Sequence, residues 1–344
     1  MSVQPSNSNE AHVLGTPVQQ QSLLEHYNYV KNLPVIAKSI YADSSPVRLL
    51  KKATVFSLNG IRHRHELQQV QQLFDCEELQ EVLQFFPAIL DKPFSPYVCV
   101  DWTLADRIEQ LQQHFTLLKT LFGDRSALFY SPQGYKLFSF ETTENETCTV
   151  EMFPGYQCEG SLGMRLIDHQ GTEIYTLSLH LSELPERCIT IGALQGPNDK
   201  IADRQKKIVT LTKSLHGLRP KALMVEVVYM FANALNIHCV RGVSNEGHIY
   251  QSSKYSDAKR SAVYFDFDEL WQEFQAEAES INFFTLPVTP VRKDIESLKS
   301  KKRSLYRKRY AWLEQAQAEA MAALQPLLLQ PDFTNVEGNT DKAA

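Results

Sequence analysis

The stretch Cys188–Tyr250, CITIGALQGPNDKIADRQKKIVTLTKSLHGLRPKALMVEVVYMFANALNIHCVRGVSNEGHIY, decides the fold class. Its first seven residues are apolar or β-branched and read as a buried strand ending in a glycine-bearing loop. IADRQKKIVTLTKSLHG reads as a helix closed by Gly217, because glycine is the residue that ends a helix in the left-handed region at least cost. Pro220 then sits where a first helical turn tolerates proline, and Leu223, Val227, Phe231 and Leu235 give the next helix an apolar face. HCVRGV follows as a second strand before a polar turn. The polar residues Gln195, His216, Arg219, Lys221, Asn245 and His248 fall at the ends of these elements, where α/β proteins place their sites.

On the N-terminal side, LFYSPQGYKLFSFE, TCTVEMF, SLGMRLID and TEIYTLSLHL are β-rich runs separated by turn residues. Leu177, Leu179 and Leu181 alternate with Thr176, Ser178, His180 and Ser182, the period of a strand, and Asp168–Gly171 is a tight-turn signal. Residues 19–122 are helical in pattern. Leu23, Leu24, Tyr27 and Val30, then Leu67, Val70, Leu73 and Phe74, then Ile108, Leu111, Phe115 and Leu118 recur at helical spacing, which predicts three to five helices, one starting near Asp75. Residues 1–18 carry little to bury and read as a disordered tail. On the C-terminal side, SSKYSDAKR reads as a short helix, SAVYFDF and INFFTLPV as closing strands, and Arg292–Leu328 as a long charged helix with a polar tail. The division is therefore 1–18, 19–122, 123–290 and 291–344.

A hydrophobic share of 43%, a charged share of 22% and a net charge of -5 describe a globular protein with no global pull toward nucleic acid or anionic membrane. The N-terminus lacks a basic, apolar, small-residue signal, and no apolar run approaches the roughly 18 residues of a membrane span. These features predict a cytoplasmic protein whose six scattered cysteines are free thiols. No GxSxG, P-loop, HExxH or GxGxxG pattern occurs. His63, His65 and Glu66 lie in a helical region without a third ligand, so no metal is expected and these residues read as solvated or capping.

An antiparallel meander followed by helix, strand, helix and strand is the order of the GNAT-type acyltransferase fold. The likeness implies a mixed, mainly antiparallel sheet and an acyl-CoA pyrophosphate held where the central strand meets the next helix, here Gln195–Gly196–Pro197, with Gly217–Leu218–Arg219 as a second candidate. GALQGP, TKSLHGLRPK, RGVSNEGHIY, the tryptophan of FDELWQEF, the LPV of FFTLPV, KKRSLYRKRY and the earlier WTLADRIEQLQQHF together resemble the VirK/YbjX family of Gram-negative bacteria, over about residues 33–312. That resemblance implies a role in envelope-related virulence and tolerance of cationic antimicrobial peptides. It implies no reaction and no catalytic residue.

Each candidate residue has a functional and a structural reading. Gln195 and Gly196 suit close approach to a phosphate, although Pro197 lacks an N–H and Asp199 is acidic. Arg219 and Lys221, after His216, put cations at a helix N-terminus where the dipole is already positive. A bound phosphate, carboxylate or CoA relieves that conflict, or else a carboxylate of the helical layer pairs with Arg219. His248, with Asn245 beside it, suits a general base on an amine, or a solvated turn histidine with Asn245 in a left-handed position. Tyr255 stands where some GNAT enzymes keep a general acid, or packs on a helix surface, and Glu226 is structural. Lys299, Lys301, Lys302, Arg303, Arg307, Lys308 and Arg309 line a basic helix that is either solvated or a contact for anionic lipid or RNA.

These observations predict an α+β protein: a helical N-terminal region packed on a GNAT-like mixed sheet, with a long basic C-terminal helix. Two functions follow. One is acyl or aminoacyl transfer from an acyl-CoA or other anionic donor to a small amine or envelope component. The other is non-enzymatic binding of RNA, lipid headgroups or a partner protein through the basic helix.

Overall fold

Proline sets the start of both helices in the N-terminal unit. α1 (Pro17–Ile40) and α2 (Pro46–Arg62) each begin on one, at a position whose N–H has no intrahelical acceptor. The Tyr29 hydroxyl donates to the Gly60 carbonyl at 2.8 Å and ties α1 to α2. The computed structural model describes residues 17–156, 158–256 and 266–329. It divides into two units, Met1–Arg64 and His65–Ala344. The expected tail, residues 1–16 in particular, lies outside the described residues.

The second unit opens with α3 (Arg64–Gln72), α4 (Glu77–Phe85) and α5 (Leu104–Phe122). α5 starts on a capping box: the Thr103 N–H donates to Asp106 Oδ2 at 2.8 Å, and the Asp106 N–H donates to Thr103 Oγ1 at 3.3 Å. Two helical N–H groups that would otherwise lack partners are satisfied reciprocally.

The sheet is built from β1 (Tyr135–Glu141), β2 (Thr147–Phe153), β3 (Leu162–Ile167), β4 (Glu173–Ser182), β5 (Cys188–Gln195), β6 (Cys239–Val243), β7 (Glu277–Ala278) and β8 (Phe283–Leu286). The strand order is β1-β2-β3-β4-β5-β6-β8-β7. Every pair is antiparallel except β5 with β6, which the crossover through α6 (Arg204–Ser214) and α7 (Pro220–Ala234) makes parallel. This is the mixed, mainly antiparallel sheet expected from the sequence. α7 is apolar nearly all round and correspondingly buried from Ala222 to Ala232, and it packs on β3, β4 and β5. α5 also lies on β4, so the alternating polar residues Thr176, Ser178, His180 and Ser182 are as buried as the leucines between them.

The C-terminal helix is present as α9 (Ser300–Leu324), after α8 (Phe267–Glu273). It begins eight residues later than the charge pattern predicts, because Arg292 turns inward to Glu226 (Nη2 to Oε2, 2.8 Å) and the Lys293 N–H donates to the Tyr310 hydroxyl at 2.9 Å. Trp312 packs edge-on against Phe138 and Phe140 of β1. INFFTLPV supplies β8 as expected. Residues 252–256, the first part of SSKYSDAKR, form turns where a helix was expected; residues 257–265 lie outside the described residues, and Phe267, expected in a strand, is the first residue of α8. The expectation of six free thiols is corrected: β5 and β6 run parallel in a register that sets Cys188 opposite Cys239, and the two form a disulfide. Cys76, Cys99, Cys148 and Cys158 are free.

Candidate functional site

β5 and β6 part company at one point. Their paired register ends at Ile191 opposite Gly242, while β5 runs on to Gln195. At that point β5 carries a bulge: Leu179 of β4 faces Ile191 and Ser178 faces Ala193, which leaves Gly192 as the extra residue. A bulge bends the strand and ends regular pairing. Glycine is required there because a Cβ on Gly192 would collide with the Glu159 carbonyl oxygen of the β2–β3 loop. The result is a cleft of about 610 Å³ at the C-terminal ends of the parallel strands, lined among others by Glu159, Gln195, His248, Tyr250 and Phe267. Its size is that of a small-molecule site.

Glu159 is 3% exposed. Its carboxylate oxygens accept from the Gln195 amide at 2.7 and 2.8 Å, and Oε1 accepts from the Tyr250 hydroxyl at 3.4 Å. Burial, with Glu159 beside it, raises the Tyr250 phenol above its ordinary range, so the phenol stays a donor. His248 caps the short helical turn Ile249–Gln251, its Nδ1 accepting from the Tyr250 N–H at 3.4 Å, and it stacks on Phe267. Burial lowers its pKa to about 4, so the imidazole is neutral at neutral pH. Tyr255 meets Tyr250 edge to face, 5.1 Å between centroids, and burial followed by the adjacent Cys158 raises its phenol.

The loop that carries Glu159 is anchored from behind. The fully buried Lys92 donates to the Gly160 carbonyl at 2.6 Å, and Tyr130 donates to the Ser161 carbonyl at 2.7 Å. The Ser161 hydroxyl meets the Tyr97 hydroxyl, which reaches His180 Nδ1 at 3.0 Å, and His180 Nε2 reaches Gln110 Oε1 at 3.0 Å. His114 stacks on His180 and accepts the Leu181 N–H on Nδ1 at 2.9 Å. Burial lowers the Lys92 pKa to about 7 and that of His180 to about 3. Satisfied buried networks of this kind fix one conformation.

The residues singled out in the sequence separate into two groups. Gln195, Gly196 and His248 line the cleft, and Tyr255 adjoins it through Tyr250. Asn245 instead ties α8 to the β6 end: its Oδ1 accepts the Phe267 N–H at 2.8 Å, its Nδ2 donates to Asp266 at 2.9 Å, and its N–H donates to Asp268 at 2.8 Å. Arg219 and Lys221 both pair with Glu273 of α8, Lys221 at 3.2 Å. The chain's own carboxylate thus supplies the anion that their position at the start of α7 calls for. His216 has a left-handed backbone at the end of α6, its carbonyl accepts from Arg309, and it lines a separate groove with Phe140 and Trp312. At the α6 end of the cleft Arg204 pairs with Asp199, and Pro197 offers no N–H. Glu226 is held by Arg292. On α9, Arg303 and Arg307 pair with Glu296 and Arg309 is spent on His216, whereas Lys299, Lys302 and Lys308 are exposed. The Lys301 side chain lies outside the described residues.

Glu159 and Tyr250 were missed. Tyr250 closes the stretch that decided the fold class, but nothing in its spacing marks it. Glu159 stands 36 residues before Gln195 in a turn-rich loop, where only the acid-glycine pair Glu159–Gly160 hints at close packing.

Among the described residues no group of histidine, cysteine and acidic side chains could hold a metal ion, and no helix is long and apolar enough to cross a membrane. A family described as "Protein of unknown function (DUF535)" matches residues 46–322. The Escherichia coli protein "Uncharacterized protein YbjX" is 28% identical over 263 residues, 75% of this chain and 79% of that protein. Two Haemophilus influenzae proteins are 34% identical over 157 residues, 46% of this chain and 50% of theirs, and 24% identical over 265 residues, 73% and 85%. A mutant form of the cAMP-binding acyltransferase from Mycobacterium smegmatis superposes with a TM-score of 0.28 and 8% identity, over 59% of this chain and 66% of that one, too slight a likeness to argue from. The match over residues 46–322, joined by the YbjX relative, places the chain in the DUF535 family, to which it belongs.

Proposed function

We propose that the chain is an acyltransferase that moves an acyl group from a phosphate-bearing thioester, such as an acyl-CoA, to an amine. The observation that carries this reading is the coincidence of the Gly192 bulge with the end of β5–β6 pairing, beside a buried carboxylate. Beyond Ile191 no described strand pairs with the β6-facing edge of β5, which leaves backbone groups for an extended donor arm. Glu159, aimed by Gln195 and Tyr250, accepts the proton that the amine sheds as its nitrogen bonds the acyl carbon. It returns that proton to the sulfur as the carbon–sulfur bond breaks, so thioester plus amine give amide plus thiol. Neutral His248 adds no charge to repel the acceptor, and positioning supplies most of the rate. For the phosphate end of the donor, Arg204 must exchange Asp199 for the ligand. An amine-bearing envelope component as acceptor follows from the YbjX-type resemblance alone.

Acyl-CoAs of increasing length are tested by thermal shift, and transfer to polyamine and aminosugar acceptors is followed by thiol release. The expected result is stabilisation by one donor class and thiol release that Glu159→Gln reduces by 10²-fold or more while folding is kept. Absence of stabilisation by every donor overturns the proposal. The second reading, non-enzymatic binding through α9, is favoured by the exposed Lys299, Lys302 and Lys308. It is supported if charge reversal there abolishes cellular function while Glu159→Gln does not.

A further inference from the structure

We propose that α2 is a membrane-surface helix that docks the N-terminal unit onto anionic lipid. Val47, Leu50, Val55, Leu58 and Ile61 are 44% to 82% exposed. At 3.6 residues per turn they fall on the side of α2 opposite the buried Phe56 and Gly60. A helix in a globular protein turns one apolar stripe to the core, and α2 carries a second that faces outward. Arg48, Lys51 and Arg62 are exposed along one flank of that outer stripe, and α2 contains no acidic residue. Residues 17–64 hold seven lysines and arginines against Glu25 and Asp43, a balance of +5 in a chain whose net charge is -5. Cations alone would suit any polyanion. Leucine, isoleucine and valine beside them call for a partner that is apolar within and anionic at its face, which is a bilayer surface.

The full-length protein is pelleted with vesicles of equal parts phosphatidylethanolamine and phosphatidylglycerol, and with phosphatidylcholine vesicles. It is expected to pellet with the first and not the second, and less so as salt is raised. Lys51→Glu with Arg62→Glu is expected to weaken binding by at least tenfold, since each cation contributes roughly fivefold. Leu50→Ser with Leu58→Ser is expected to weaken it similarly, while Lys299→Glu with Lys302→Glu on α9 leaves it unchanged. Leu58→Trp reports insertion directly, as a blue-shifted emission on anionic vesicles, and does not depend on the serine pair folding. Failure of the wild-type chain to pellet overturns the proposal. So does wild-type binding by the serine pair, loss of binding only in the α9 variant, or a wild-type dimer that Leu58→Ser separates, which would make the stripe a self-association face.

Discussion

Glu159 and Asn245 show two fates for a polar side chain near the cleft. Glu159 keeps its carboxylate on the cleft wall with Gln195 and Tyr250 aiming it. Asn245 spends its amide on Phe267 and Asp266, partners more than twenty residues on in sequence, and so acts as the link that starts α8. Asn245→Ala should therefore destabilise the fold by about 1–2 kcal/mol, read by denaturant melts, because it strips a helix start of its acceptor. Loss of activity with unchanged stability would contradict that assignment. Arg219→Ala should change stability by less than about 1 kcal/mol and leave donor binding intact, because its pair with Glu273 is half exposed. The sequence showed that both residues were unusually placed. It did not show which had partners, because those partners arrive from α8.

At the scale of elements, two glycines of the family-like motifs turn out to be sites of close approach. In RGVSNEGHIY, a Cβ on Gly242 would strike the indole of Trp271, which is fully buried and donates from Nε1 to the Val243 carbonyl at 2.7 Å. The RGV strand and the tryptophan of FDELWQEF thus belong to one packing unit. Trp271→Ala should cost about 3–5 kcal/mol, and Gly242→Ala about 1–3 kcal/mol through overpacking, both measurable by chemical denaturation. In GALQGP, Gly192 makes the bulge that opens the cleft. Gly192→Ala must displace the Glu159 loop, so thiol release should fall along with stability; full activity would show that the loop is not fixed by that contact.

At the scale of the molecule, the core holds three neutral histidines. Burial lowers His248 to about 4, His180 to about 3, and His114 well below its ordinary value. The unfolded chain takes up these protons near pH 6.5, whereas the folded chain resists until its own lower values are reached. The contribution of these histidines is therefore full above about pH 6.5 and is lost as pH falls, on the order of 3 kcal/mol each for His248 and His180 by pH 4. Urea melts at about pH 7.5 and pH 4.5 read this directly, and equal midpoints would refute it. His114→Leu would not remove the slope, because His180 and His248 contribute to it as well.

What could be read from the sequence was local: the helical character of residues 19–122, the antiparallel run up to β5, the crossover between β5 and β6, and the glycine and proline that bound α6 and α7. Periodicity and turn chemistry act over a few residues, so they survive in a linear reading. The tertiary structure decided what is non-local. It paired Cys188 with Cys239 across 51 residues, gave Arg219 and Lys221 their carboxylate, and brought Glu159 over the Gly192 bulge to face Gln195 and Tyr250. Each of those contacts depends on strand register and chain crossing, which fix which distant residues meet and leave no periodic trace in the sequence.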